Sequence, residues 1–130
     1  MSLAIAGAVM YSCGSSDQQS ESMNPFFEAY NTPFEVPPFD KIKNEHFAPA
    51  LREGMRIQQE EIDVIVNNAE APTFQNTIEA MENSGELLSK VSTVFGNLNS
   101  ANTSDELQAI ARDMAPELSK HSDNISLNEK

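Results

Sequence analysis

The sequence has 130 residues and a mass of 14.3 kDa, a length that suits one domain and is short for a two-domain enzyme with its own substrate cleft. Its 8 Lys and Arg residues against 20 Asp and Glu residues give a formal net charge of −12, so no nucleic-acid partner and no polybasic lipid-binding surface is expected. The single Cys excludes both an internal disulfide framework and a zinc site built from cysteines.

Residues 1–12 are predicted to be a signal-peptide-like segment. Residues 3–10 form an apolar run that is too short to cross a bilayer as a helix, and Cys13 with a polar tether follows it. The pattern resembles a bacterial lipoprotein signal and predicts lipid attachment at Cys13, with export to the periplasm or anchoring to a membrane. It departs from that pattern at the bulky Tyr11 and in lacking Lys or Arg after Met1. The alternative is a cytoplasmic protein whose tail carries an incidental thiol.

Residues 13–40 are predicted to be a polar tether followed by an extended arm rich in Pro and Phe. Residues 23–40 hold four prolines among five aromatic residues. Proline removes backbone donors and favours extended geometry, so neither a helix nor a central strand is predicted there. Because exposed aromatic clusters are unfavourable in water, we expect the arm to lie on a helical body with its aromatics as anchors. The alternative is a Pro-rich ligand for a partner domain, although the PxxP spacing is only partly present.

The remaining residues, 41–130, are predicted to be all-α, as an antiparallel bundle of three long helices. The first (about 44–68) has Asn44 as its N-cap and Pro49 in its first turn. The second (about 73–99) is capped by Thr73 and is expected to be the most buried, with Gly85 and Gly96 near its apolar stripe, where they would permit close helix approach. The apolar residues that define it are Phe74, Ile78, Met81, Leu88, Val91, Phe95 and Leu98.

The third helix (about 103–123) is predicted to begin with a capping box from Thr103 to Glu106. Pro116 is expected to interrupt or kink it, because proline removes one backbone hydrogen bond and crowds the preceding turn. The short connections make chain neighbours antiparallel. A further helix is predicted to begin over residues 126–130.

No catalytic motif is present in the sequence. His46 and His121 each lack a second His four residues on, so neither belongs to an HExxH zinc motif. Both are predicted to be solvated or locally hydrogen-bonded side chains, with a shared metal site between two helices as the less favoured alternative. The sequence contains neither a Gly-rich phosphate loop nor a GxSxG nucleophile motif.

Four short motifs within residues 25–130 match a known family in letters, order and separation. They are Pro38-Phe39-Asp40 with Ile42, Phe47-Ala48-Pro49-Ala50, Ala71-Pro72-Thr73-Phe74-Gln75-Asn76-Thr77-Ile78 and Ser100-Ala101-Asn102-Thr103-Ser104-Asp105-Glu106-Leu107. On these motifs the chain resembles the N-terminal region of the M3 (thimet oligopeptidase-like) zinc metallopeptidases. Within that family it is most similar to the subgroup of bacterial peptidyl-dipeptidases and oligopeptidase A.

The resemblance implies an all-helical protein with a channel between two lobes, where a zinc ion held by HExxH and a downstream Glu cleaves short peptides. None of those ligands matches a position here, so no catalytic, cofactor-binding or metal residue is assigned, and zinc is implied only for a full-length parent. Residues 41–130 are predicted to belong to the N-terminal lobe and to wall the channel. The implied partners are a missing C-terminal catalytic region and, through it, short peptides.

The chain ends at Lys130 within a helical pattern, which leads us to expect a piece of a longer polypeptide without catalytic activity of its own. One alternative is a stand-alone acidic helical lipoprotein that acts as a binding module. Another is an enzyme in its own right, which would hydrolyse peptides in a chelator-sensitive manner.

Overall fold

The computed structural model describes residues 23–129, so the signal-like segment and Cys13 lie outside the described residues. The first long helix, α1 (Phe47–Val66), follows a 3₁₀ turn at Asn44–His46. Its entry is held by His46, whose buried ring accepts a hydrogen bond at Nδ1 from the Lys43 N–H at 3.1 Å. The prediction that Asn44 is the N-cap is wrong, because the Asn44 side chain instead donates to Glu106 Oε2 at 2.7 Å.

The second predicted helix is divided in two. A π-helical turn (Phe74–Glu79) leads into a short helix, α2 (Ala80–Glu82), and the chain then breaks before α3 (Glu86–Ala101). Thr73 caps the π-helical turn as predicted, since its hydroxyl accepts from the Asn76 N–H at 3.1 Å. The expectation of one continuous helix over 73–99 is corrected at Gly85, whose φ of +74° is a left-handed conformation that glycine adopts without a Cβ clash.

The last long helix is α4 (Asp105–Ser126). Its N-cap is Ser104, which accepts from the Leu107 N–H at 3.2 Å, so the predicted cap at Thr103 is wrong by one residue. The helix continues through Pro116 without the predicted interruption, because this residue lies on the exposed side, where water can reach the carbonyl that proline leaves unpaired. Within residues 126–129 the chain forms no further helix, which corrects the expectation of one beginning there.

Helices α1 and α3 are antiparallel and in close contact. The Phe47 ring near the start of α1 lies 5.1 Å from the Phe95 ring near the end of α3. Further along α1, Gly54 faces the Leu88 backbone so closely that an added Cβ would lie 2.8 Å from the Leu88 Cα. The close approach predicted for Gly96 is not found, because an added Cβ there meets no atom within 4 Å.

Helices α1 and α4 are parallel, as the first and third helices of an up-down-up bundle must be. Contacts between them advance along both chains together, from Asn44–Glu106 at one end through Arg52–Glu117 to Gln58–His121 at the other. Within residues 23–129 every regular element is helical, which confirms the predicted all-α bundle of three long helices whose chain neighbours are antiparallel.

The core is centred on α1 rather than on the second helix. Both α3 and α4 pack mainly against α1. The prediction that the second helix would be the most buried is therefore wrong, and residues 74–82 contain no buried side chain. The buried core comprises Phe26, Phe47, Ala50, Leu51, Met55, Val91, Val94, Leu107 and Met114.

The N-terminal arm lies on the helical body, as predicted, where Phe26 and Asn24 contact the start of α1. Its course is not extended throughout, because 3₁₀ turns form at Pro25–Phe27 and Pro33–Glu35. Phe26 is buried with its ring 5.3 Å from that of Phe47, and Lys90 Nζ lies 3.8 Å from the centre of the Tyr30 ring. These two aromatics are anchors of the predicted kind. Three others, Phe27, Phe34 and Phe39, remain exposed, and Phe34 is 99% exposed on a turn with φ +59°.

Candidate interface

The described residues do not form a metal centre. Among residues 23–129, no three His, Cys, Asp or Glu side chains are placed to hold a metal ion, so the zinc implied by the family resemblance does not fit this part of the chain. His46 caps α1, and His121 Nε2 lies 2.8 Å from Gln58 Oε1. His46 is locally hydrogen-bonded, as predicted, although it is buried, whereas His121 has its partner on another helix. No helix in this part of the chain is both long and apolar enough to span a membrane.

An apolar cleft lies at one end of the bundle. It has a volume of about 310 Å³ and lies between the last turns of α1, the segment around α2, and the end of α4. Its polar wall includes Glu70, Asn76 and Thr77. Its apolar wall consists of Ile62, Ile65, Val66, Pro72, Met81 and Ile125.

An exposed apolar strip adjoins this cleft. Phe74, Ile78 and Met81 recur at four- and three-residue steps along the π-helical turn and α2, and they are 65%, 49% and 46% exposed. Large apolar side chains grouped in this way mark interaction sites more often than scattered ones do. We call this strip, together with the cleft and its wall residue Glu70 and with Asp63, which follows Ile62 on α1, the acidic end.

Residues 57–89, which form much of this end, carry charge of one sign. Between Arg56 and Lys90 the sequence contains seven Asp and Glu residues and no Lys or Arg. The carboxyl ends of α1 and α4 both line the cleft, and each helix carries partial negative charge there. Neither last turn contains a basic residue, and Asp63 places a carboxylate in the last turn of α1. Helix termini of this kind ordinarily favour cations, so their charge is left uncompensated by these elements.

The break before α3 is fixed by side chains from α1. The Gly85 N–H donates to Glu61 Oε2 at 2.7 Å, and the Gln58 side chain packs directly against Gly85. Gln58 Oε1 also contacts His121 Nε2 on α4, and burial lowers the pKa of His121. This polar cluster fixes the position of the break between α2 and α3.

Sequence reasoning did not find this interface. The apolar spacing of residues 74–81 predicts a buried stripe, whereas the structure leaves Phe74, Ile78 and Met81 exposed. The signals that could have indicated an exposed surface are the run without Lys or Arg after Arg56 and the helix-stopping residues Asn83, Ser84 and Gly85.

The chain is similar in sequence to peptidases of two bacteria. The chain is 44% identical over 107 residues to the dipeptidyl carboxypeptidase of Salmonella typhimurium and 43% identical over 107 residues to that of Escherichia coli, which covers 82% of this chain and 16% of each relative. It is 30% identical over 98 residues to oligopeptidase A of Escherichia coli, which covers 75% of this chain and 14% of the relative. No family model matches the chain.

The chain thus spans about one sixth of the length of the dipeptidyl carboxypeptidases that it matches. The similarity extends over at least three quarters of the chain in all three cases. On this similarity the chain belongs to the M3 family of peptidases, in the group of dipeptidyl carboxypeptidase and oligopeptidase A.

Proposed function

We propose that the chain is the N-terminal helical part of a zinc-dependent oligopeptidase of the peptidyl-dipeptidase type, which hydrolyses short peptides. The observation that carries this proposal is the 44% identity to a dipeptidyl carboxypeptidase over 107 residues. The chemistry belongs to another part of the polypeptide, because this sequence has no HExxH and its described residues fit no zinc site.

The role proposed for this segment is architectural. Its helices would form part of the wall of the substrate channel and exclude large folded substrates. The packing supports such a role, because three helices share one core cluster and bidentate Arg52–Glu117 contacts of 2.7–2.9 Å tie α1 to α4. A wall of this kind restricts substrates by shape and does not need reactive side chains of its own.

A graft tests the proposal. Residues 23–129 would replace the matching segment of the Escherichia coli dipeptidyl carboxypeptidase, and release of dipeptides from a short peptide would be measured. We expect the graft to retain activity, since the two segments are 43% identical. A second graft carrying Leu51→Asp is the control, because Leu51 is 1% exposed and a buried unpaired carboxylate would unfold the bundle. A stable first graft without activity would contradict the proposal.

We also propose that Cys13 carries the lipid of an exported lipoprotein. This rests on the apolar run and polar tether in the sequence, outside the described residues. Mass spectrometry of the mature N-terminus in a bacterial host would detect acylated Cys13, and Cys13→Ser would abolish it. An unprocessed N-terminus in both forms would contradict lipidation. The stand-alone binding module stays an alternative prediction, and a reading frame that extends into an HExxH motif would exclude it.

A further inference from the structure

We infer that the acidic end of the bundle is the docking surface for a basic amphipathic helix supplied by the rest of the peptidase polypeptide. This inference rests on the proposed function, because it takes the docked helix from the same peptidase. It goes beyond that function in naming the face that is covered and the chemistry of the segment that covers it. The shape, the polarity and the charge of this surface all favour such a segment.

Shape and polarity select a helix with an apolar stripe. Met81 lines the cleft and lies on the same segment as the exposed Phe74 and Ile78, so apolar side chains extend from the end of α1 to the π-helical turn. An amphipathic helix laid into a groove buries side chains at three- and four-residue steps, which is the spacing of Phe74, Ile78 and Met81 themselves. Burying such side chains removes apolar area from water and favours association.

Charge selects Lys and Arg on the flanks of that helix. Glu70 lines the cleft and Asp63 flanks it, both are exposed, and the carboxyl ends of α1 and α4 add negative potential. Cations from a docked segment would neutralise both carboxylates and both helix ends. A second copy of this chain would instead bring another −12 charge and the same carboxylates to the contact, so we do not assign the surface to self-association.

The length of the relatives identifies the source of the helix. The chain covers 16% of each matched dipeptidyl carboxypeptidase, so most of such a polypeptide lies outside this segment and must pack against it somewhere. The opposite end of α1 is already covered by the arm, through Phe26 and the Asn24 side chain, which donates to the His46 carbonyl at 2.9 Å. The acidic end has no comparable cover among residues 23–129.

A double charge-reversal variant tests the inference through the direction in which it shifts the Tm, in the isolated chain and in the graft. Asp63→Lys with Glu70→Lys should raise the Tm of the 130-residue chain alone by about 2 °C, because Lys near the end of α1 suits the helix dipole. It removes only an exposed contact from Gln59 Nε2 to Asp63 Oδ1. In the graft described above, the same change should lower the Tm, because Lys would then face Lys or Arg of the docked helix.

The control variant is Glu28→Lys with Asp40→Lys, which makes the same charge change on the arm. It should shift the Tm in the same direction in both contexts. If Asp63→Lys with Glu70→Lys also shifts the Tm in the same direction in both contexts, the inference is overturned. A graft that shows the reversal of sign but cleaves no peptide would refute only the proposed channel role, and an active graft without it would refute only the docking surface.

A second measurement does not need the graft to fold. The isotope-labelled 130-residue chain would be titrated with a helical Leu–Lys peptide of about 15 residues and with its Leu–Glu counterpart. We expect the Leu–Lys peptide to shift resonances of residues 62–66 and 72–81. Its affinity for the Asp63→Lys, Glu70→Lys variant should be about tenfold lower. Binding of the Leu–Glu peptide at that site, or equal affinity of the Leu–Lys peptide for both proteins, would overturn the inference.

Discussion

At the scale of single residues, the three glycines within residues 23–129 serve three different situations. Gly54 lets α1 approach the Leu88 backbone, Gly85 takes a left-handed conformation at a helix break, and Gly96 is exposed on α3. The sequence predicted close approach at Gly85 and Gly96 because both lie near an apolar stripe. It could not identify Gly54, since a glycine's role depends on which backbone faces it, and that is decided only when helices pack.

Gly54→Ala and Gly96→Ala are expected to change stability in opposite directions. A Cβ at Gly54 would lie 2.8 Å from the Leu88 Cα, so the helices must separate, at a cost of about 1–3 kcal/mol in unfolding free energy. This outweighs the gain in helix propensity. A Cβ added at Gly96 would meet no atom of another element within 4 Å, and the same substitution should stabilise the protein by up to about 1 kcal/mol. Urea unfolding of both variants is the measurement, and equal effects would contradict the assignment.

A second residue-scale prediction concerns pH and His121. Burial lowers the pKa of His121 below the 6.5 expected in the unfolded chain, so the unfolded state binds its proton more readily. The resulting stability is present above pH 6.5 and is lost as the pH falls through the folded pKa.

His121→Gln keeps a donor for Gln58 Oε1 and removes the titration. The unfolding free energy of the unaltered protein, relative to this variant, should therefore be greater at pH 7.5 than at pH 5. Denaturant unfolding of both proteins at the two pH values measures this. All other titratable groups are common to the two proteins, so their contributions cancel in the difference. A difference that stays constant with pH would show that His121 does not contribute.

At the scale of elements, periodicity predicted the three long helices but not the break in the second one. The apolar stripe of Phe74, Ile78, Met81 and Leu88 keeps a helical step across Gly85, so the pattern concealed the interruption. The cap of α4 was missed for a different reason. Thr103 and Ser104 are both capping residues, and Glu106, the expected partner of Thr103, is held instead by Asn44 on the opposite side of the α1–α4 contact.

The arm is held to α3 through Lys90, which gives an element-scale prediction. Lys90 Nζ donates to the carbonyls of Phe26 at 3.2 Å and Glu28 at 3.0 Å, and it lies over the Tyr30 ring. Lys90→Ala should lower the unfolding free energy by about 1 kcal/mol and expose residues 24–36 to faster proteolysis. Limited proteolysis with mass spectrometry measures this. Lys120→Ala, on exposed α4 surface, is the control, and identical cleavage rates in both variants would contradict the anchoring role.

At the scale of the whole molecule, the family and the all-α architecture were predictable, whereas the candidate interface was not. The motifs around Pro72 and Thr103 are local in sequence, so they can be matched without a structure. The cleft instead requires Ile65 on α1 and Ile125 on α4 to line the same space, which follows from the parallel placement of the first and third helices. Its negative potential likewise comes from two helix ends that are distant in sequence.

This charge leads to a prediction about self-association. At low salt the net charge of −12 keeps copies apart, although Phe74 and Ile78 are exposed. In about 1 M NaCl the screening length falls to about 3 Å, so the apolar surfaces of two acidic ends can meet. Sedimentation velocity should show a monomer at about 0.05 M NaCl and a larger dimer fraction at about 1 M.

Phe74→Ser with Ile78→Ser should abolish the dimer without changing the charge. Phe34→Ser with Phe39→Ser removes two exposed rings from the arm instead and should leave the dimer intact, because those rings adjoin no such cleft. A dimer that persists in the Phe74→Ser, Ile78→Ser variant and is lost in the Phe34→Ser, Phe39→Ser variant would place the dimer interface on the arm. That result would also remove the apolar argument for docking at the acidic end, since the surface that associates most readily would then be the one around Phe34.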